Sequence, residues 1–148
     1  MEYFSKFIEQ LHSRLQEDGA AKKAPVLFLL EGDLGAGKTT FVKEFLRSYA
    51  YPASSVQSPT FLKLIEYPVS GLGLCVHLDT YRIEDDQEFE KLGLENYLDA
   101  TYWFVEWPDR LLDYLKAKPE LEKILAFGLR YRLKFGPHGS PVELLKGE

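Results

Sequence analysis

Between positions 32 and 39 the chain reads Gly32-Asp33-Leu34-Gly35-Ala36-Gly37-Lys38-Thr39, a GxxxxGKT pattern. Glycines at 32, 35 and 37 let the backbone curl until successive N–H groups point inward, and with a helix N-terminus behind them those groups cradle phosphate oxygens. Lys38 supplies a mobile positive charge for the β- and γ-phosphates. The Thr39 hydroxyl is placed to ligate Mg²⁺, and Thr40, one step further into the helix, is within reach of the α-phosphate. Such a loop binds phosphate, but hydrolysis also needs a carboxylate that holds the metal or orients the attacking water. Two acids qualify by position: Asp79 ends the apolar run 74–78, and Glu106 ends the run 102–105. If their strands run parallel to the strand before the loop, both acids reach the carboxyl edge of the sheet, where ligands collect. The sequence leaves open which of the two serves the metal.

The surrounding pattern supplies the elements such a loop requires. Val26-Leu27-Phe28-Leu29-Leu30 is an uninterrupted apolar run that reads as a central strand covered on both faces. After the loop, Phe41, Val42, Phe45, Leu46 and Tyr49 share one helical face, which completes strand, loop and helix in the order phosphate binding demands. Upstream, Phe4, Phe7, Ile8, Leu11 and Leu15 predict an amphipathic helix over 2–17, closed by Gly19. Residues 61–67 and 74–78 read as strands separated by a turn at Pro68, Ser70, Gly71 and Gly73, an order compatible with a hairpin. A short helix is predicted over 84–92, a buried strand over 102–105, and a helix from Pro108 to Leu115. From Leu125 to Phe135 apolar and polar residues alternate with the period of a half-exposed strand. Gly136-Pro137-His138-Gly139 then turns the chain toward a last strand near Val142 to Leu145. The predicted fold class is α/β: three layers around a central, mainly parallel sheet, with an antiparallel C-terminal hairpin.

Other residues have competing readings. His77, inside an apolar strand, reads more readily as a hydrogen-bonded structural residue than as a base. Ser58-Pro59-Thr60 reads equally as a turn before a strand or as a segment sensing the γ-phosphate. Trp107 is either core or a neighbour of the nucleotide, and its size favours core. Arg130, Arg132 and Lys134 read most simply as the solvated face of their strand, with a partner or phosphate contact as the lesser alternative. Cys75, the only cysteine, reads as a small buried hydrophobe and suits a reducing compartment.

The 148 residues have the length of one ordinary domain and are read as a single unit over 1–148. No apolar stretch approaches the length of a membrane span, and the first twenty residues carry acids and bases unlike a secretory signal, so a cytoplasmic protein is expected. A formal charge of −5 argues against a chain that grips nucleic acid unaided, since phosphate contacts need a dense field of Lys and Arg. Any RNA link is expected to run through a partner.

Taken together, four blocks resemble the TsaE family. They are Gly32 to Thr40, Ser58-Pro59-Thr60-Phe61, His77-Leu78-Asp79-Thr80-Tyr81-Arg82 and Val105-Glu106-Trp107-Pro108, in family order across residues 32–108, about half of the chain. The resemblance implies a P-loop NTPase-like fold and a cytoplasmic, Mg-dependent ATPase that is slow alone. It further implies a chain that works with the TsaB and TsaD proteins in tRNA threonylcarbamoyladenosine modification, with TsaD carrying the transfer chemistry. It implies Thr39 and Glu106 as Mg²⁺ ligands, Asp79 as a catalytic acid near the γ-phosphate, and 58–60 as a switch-like segment. It also implies a contact from the N-terminal helix to the nucleotide base, for which Ser5 is the positional candidate. Thr80 stands where the family pattern usually has leucine, a surface-scale change of small consequence. Ser140-Pro141 follows Gly139 where the family often has an arginine.

Two other functions share the loop. A small-molecule kinase needs an acceptor pocket and usually an arginine-bearing lid, and the six arginines form no such cluster. A nucleotide-gated binding module would use ATP to set a conformation that a partner recognises, with hydrolysis incidental. ATP is inferred as the nucleotide because no guanine-reading NKxD stretch is present.

Overall fold

The computed structural model describes residues 2–23, 25–33, 36–60, 62–126, 129–136 and 141–147. Strand β1 (Val26–Glu31) is the axis of the fold, and its unbroken apolar run has the predicted consequence that both faces are covered. Val26, Phe28 and Leu30 meet helices α1 (Glu2–Glu17) and α2 (Lys38–Arg47) through Ile8, Leu11, Phe41 and Phe45. Leu27 and Leu29 point the other way, into the layer formed by α3 (Asp86–Leu92) and α4 (Asp109–Lys116), where Phe89, Leu111 and Leu115 are buried. The period of two along the strand thus divides the core into two halves and gives three layers.

Among the described residues, six strands form one sheet. The others are β2 (Leu64–Val69), β3 (Gly73–Asp79), β4 (Tyr102–Glu106), β5 (Arg130–Phe135) and β6 (Pro141–Gly147), in the order β2-β3-β4-β1-β5-β6. The four inner strands are parallel to one another, while β2 and β6 pair antiparallel at the edges. The predicted α/β class, the mainly parallel sheet and the C-terminal hairpin all hold. Helix α1 covers the predicted span, and Gly19 beyond it takes φ 70°, the left-handed conformation that closes a helix without a Cβ penalty. No helix among the described residues is long and apolar enough to cross a membrane.

The structure revises several predicted boundaries. Strand β2 runs through Pro68 to Val69 rather than turning there, which an edge strand tolerates because proline's missing N–H need not face a neighbour. Phe61, predicted to begin that strand, lies outside the described residues. The alternation read from Leu125 onward begins only at Arg130; Leu125 belongs instead to a fifth helix, α5 (Pro119–Ala126), with proline at its first position and Glu120 and Glu122 in its first turn. Phe127 and the turn residues Pro137, His138 and Gly139 lie outside the described residues. Cys75 is fully buried, and burial pushes its thiol pKa up to about 12, as fits a packing residue.

Candidate functional site

The site forms where β1, β3 and β4 reach their carboxyl ends side by side. Leu30 pairs with Glu106 and Glu106 with Asp79, so parallel pairing brings both candidate acids to the edge from which the Gly-rich loop departs. Alternation then decides where they point. Cys75 and Phe104 face the α1/α2 layer, and two-residue steps carry His77, Asp79 and Glu106 to that same side. All three are nearly or fully buried.

Of the loop, Leu34 and Gly35 lie outside the described residues. Gly32 is hemmed in: a Cβ there would come within 3.0 Å of the Phe135 Cβ and 3.1 Å of the Ala36 Cβ, so the close approach requires glycine. Asp33 is exposed, and its carbonyl accepts from the Ala36 N–H at 3.0 Å. Gly37 caps α2 with φ 99° and, having no side chain, offers no capping hydrogen bond to the first N–H groups of that helix. A helix start without a side-chain cap beside a buried lysine is suited to an anion.

Lys38 is the buried cation of the site. Its Nζ donates to the Gly32 carbonyl at 2.7 Å and lies 3.8 Å from the centroid of the Trp107 ring. Burial pulls its pKa down, and the carboxylates of Glu106, Asp79 and Asp33 partly restore it. Trp107 is therefore not the core residue its size suggests. It is half-buried, its backbone takes φ 59°, and its ring packs against Tyr81 with centroids 4.8 Å apart. The indole Nε1 is buried and has no hydrogen-bond partner among the described residues.

The two acids have different neighbours. The Thr39 hydroxyl donates to Glu106 Oε2 at 3.0 Å. Asp79 instead accepts from the Thr60 hydroxyl at 3.1 Å and from the Tyr81 N–H at 2.9 Å, and Ser58 Oγ lies 2.9 Å from Thr60 Oγ1. The 58–60 segment is thus tied to one acid and the first turn of α2 to the other. Thr40 follows Thr39, half-buried. Ser5 lines an open cleft between α1 and α2 whose far wall is Glu44, Arg47 and Ser48.

Two residues were undervalued by the sequence. Thr80 is fully buried rather than at the surface; its N–H donates to the Glu106 carbonyl at 3.2 Å and its hydroxyl to the Trp107 carbonyl. Tyr67 was not singled out, yet its hydroxyl lies 2.9 Å from His77 Nδ1, and His77 Nε2 lies 2.6 Å from Glu106 Oε2. Tyr67 stands diagonal to His77 across the β2–β3 pair, a placement that strand register sets and the sequence does not.

No three His, Cys, Asp or Glu side chains cluster as a ready metal cage among the described residues. The Thr39 hydroxyl and Glu106 carboxylate are hard oxygen donors in contact with each other, the set that suits Mg²⁺ completed by phosphate and water.

Comparison with known proteins gives the same family. The family model described as "Threonylcarbamoyl adenosine biosynthesis protein TsaE" matches residues 2–130. Three relatives are each called tRNA threonylcarbamoyladenosine biosynthesis protein TsaE. The one from Bacillus subtilis is 48% identical over 88 residues, 59% of this chain and 52% of the relative. The one from Rickettsia conorii is 35% identical over 96 residues, 65% of this chain and 54% of the relative. The one from Aquifex aeolicus is 36% identical over 103 residues, 69% of this chain and 72% of the relative. The chain thus spans about half the length of the Bacillus and Rickettsia proteins. With the family model matched across nearly all of the sequence, the chain belongs to the TsaE family.

Proposed function

We propose that this chain binds Mg-ATP at the loop 32–39 and hydrolyses it, as the energy-coupling subunit of a tRNA threonylcarbamoyladenosine-modifying assembly with the TsaB and TsaD proteins. The observation that carries this reading is the contact of Thr39 with Glu106 beside the buried ammonium of Lys38, at the sheet edge where the loop begins. In this account the N–H groups at the start of α2 and Lys38 hold the phosphates. Thr39 and Glu106 would hold the metal ion, which when bound would supply neutralisation of the phosphate charge. Asp79 would orient the attacking water at the γ-phosphorus, and the bond to the β-phosphate oxygen breaks to leave ADP and phosphate. Lys38 would follow the transferred charge, because four methylenes let its ammonium leave the Gly32 carbonyl and the Trp107 ring. The tRNA link runs through the partners, in keeping with a net charge of −5.

The test is Mg-dependent ATP turnover by the chain alone and with TsaB and TsaD proteins. Slow turnover that the partners stimulate, and that Lys38→Ala and Glu106→Ala abolish, is expected. Undiminished turnover in both variants would exclude the assignment.

The bond from Thr60 to Asp79 favours a second reading, in which ATP gates a partner-binding conformation through 58–60 and turnover is incidental. Asp79→Asn separates the two: full partner function without ATP cleavage selects gating, and loss of both selects turnover.

A further inference from the structure

A chain of hydrogen bonds crosses three strands beneath the site. The Gln57 N–H donates to the Tyr67 hydroxyl at 3.2 Å, that hydroxyl donates to the Gln57 carbonyl at 3.1 Å, and its oxygen lies 2.9 Å from His77 Nδ1. His77 Nε2 lies 2.6 Å from Glu106 Oε2, and because a carboxylate oxygen accepts, Nε2–H is the donor. That oxygen also accepts from Thr39. Two donors on one carboxylate oxygen fix the plane of the group and hence the direction in which Oε1 points. Burial pushes the Tyr67 pKa up to about 12, so the hydroxyl keeps its proton at neutral pH.

We propose that His77 is a positioning residue: through Tyr67 it fastens the backbone at Gln57 to the carboxylate of Glu106, coupling order in the segment 57–60 to the presentation of the metal-binding oxygen. Its place supports this role over simple core filling. His77 is fully buried, yet its two ring nitrogens meet two different functional elements, one leading into 58–60 and the other into the end of β4. The same segment reaches Asp79 independently through Thr60. One short stretch is therefore anchored to both acids, directly to Asp79 and by relay to Glu106. A histidine one atom away from a metal-binding carboxylate acts as outer-shell support, which orients the ligand without touching the metal.

The metal half of this inference rests on the proposed Mg-ATP site, and the experiment separates the two. In ligand-free protein, hydrogen exchange over 57–60 should rise about tenfold in His77→Phe and return toward wild type in His77→Gln, whose amide can serve both neighbours. For a non-hydrolysable ATP analogue, the affinity gained on replacing EDTA with Mg²⁺ should fall about tenfold in His77→Phe while metal-free affinity stays within about twofold. Tyr67→Phe, which keeps the ring and serves if the histidine variant does not fold, should lose several-fold of that Mg²⁺ gain although Tyr67 is two contacts from the metal-binding oxygen. Unchanged exchange and unchanged Mg²⁺ gain in folded variants would overturn the role of His77, as would an equal loss of affinity with and without metal. A wild-type chain without any Mg²⁺ gain would instead overturn the nucleotide site, leaving the exchange result to decide the relay.

Discussion

The Thr39 hydroxyl and the Glu106 carboxylate meet at 3.0 Å, joining the first turn of α2 to the end of β4. Neighbouring parallel strands fix one partner and the loop fixes the other, so the pair survives only if sheet register and loop geometry are both intact. Thr39→Val keeps the shape and removes the hydroxyl proposed to face the metal. It should lower Mg-dependent turnover by about a hundredfold, the consequence of losing roughly 3 kcal/mol of transition-state stabilisation, while metal-free nucleotide binding persists. Steady-state turnover with a parallel binding titration in EDTA checks this; wild-type turnover would remove Thr39 from the site.

Lys38 should leave a signature in stability as well as in binding. Burial lowers its native pKa below the unfolded value of 10.5, with Glu106, Asp79 and Asp33 offsetting part of the shift. The charged form therefore costs stability below the native pKa, and that cost disappears as pH rises through the native pKa toward the unfolded one. Urea unfolding of wild type and Lys38→Met should show the balance moving in favour of wild type as pH approaches 10.5. A pH-independent difference would contradict the desolvated cation.

The two tryptophans are differently placed, which makes ligand binding visible. Trp103 is fully buried with its indole N–H on the Tyr97 carbonyl, whereas Trp107 lies against Lys38. Adding Mg-ATP should draw Lys38 from the Trp107 ring and change the fluorescence, and Trp107→Phe should abolish that change. A signal that survives in Trp107→Phe would place the perturbation elsewhere.

Thr80 ties the end of β3 to the Glu106–Trp107 backbone from a fully buried position. Thr80→Val preserves volume and removes the hydroxyl, leaving the Trp107 carbonyl without that donor, and should cost about 1–3 kcal/mol in chemical denaturation. An unchanged midpoint would mean that the bond contributes nothing.

The parts of the molecule legible in the sequence are those governed by local period. The apolar run 26–30, the GxxxxGKT loop and the helical face from Phe41 to Leu46 specify strand, turn and helix within one stretch of chain, and the structure follows the strand and the helix. Alternation misled where it was extended too far upstream: the chain around Leu125 obeys the helix begun at Pro119, and only from Arg130 does the strand take over. Trp107 and Thr80 were misjudged because their surroundings come from distant residues, Lys38 for one and the neighbouring strand for the other. The relay from Tyr67 through His77 depends on the relative register of three strands, which no local pattern encodes.

The central claim is that Mg-ATP sits on the loop 32–39 with Lys38 on its phosphates. Calorimetric titration of the wild-type chain and of Lys38→Ala with a non-hydrolysable ATP analogue in Mg²⁺ tests it most directly. The account predicts one site in the wild type, lost in the variant. Equal binding by both proteins, or no binding by the wild type, would contradict it.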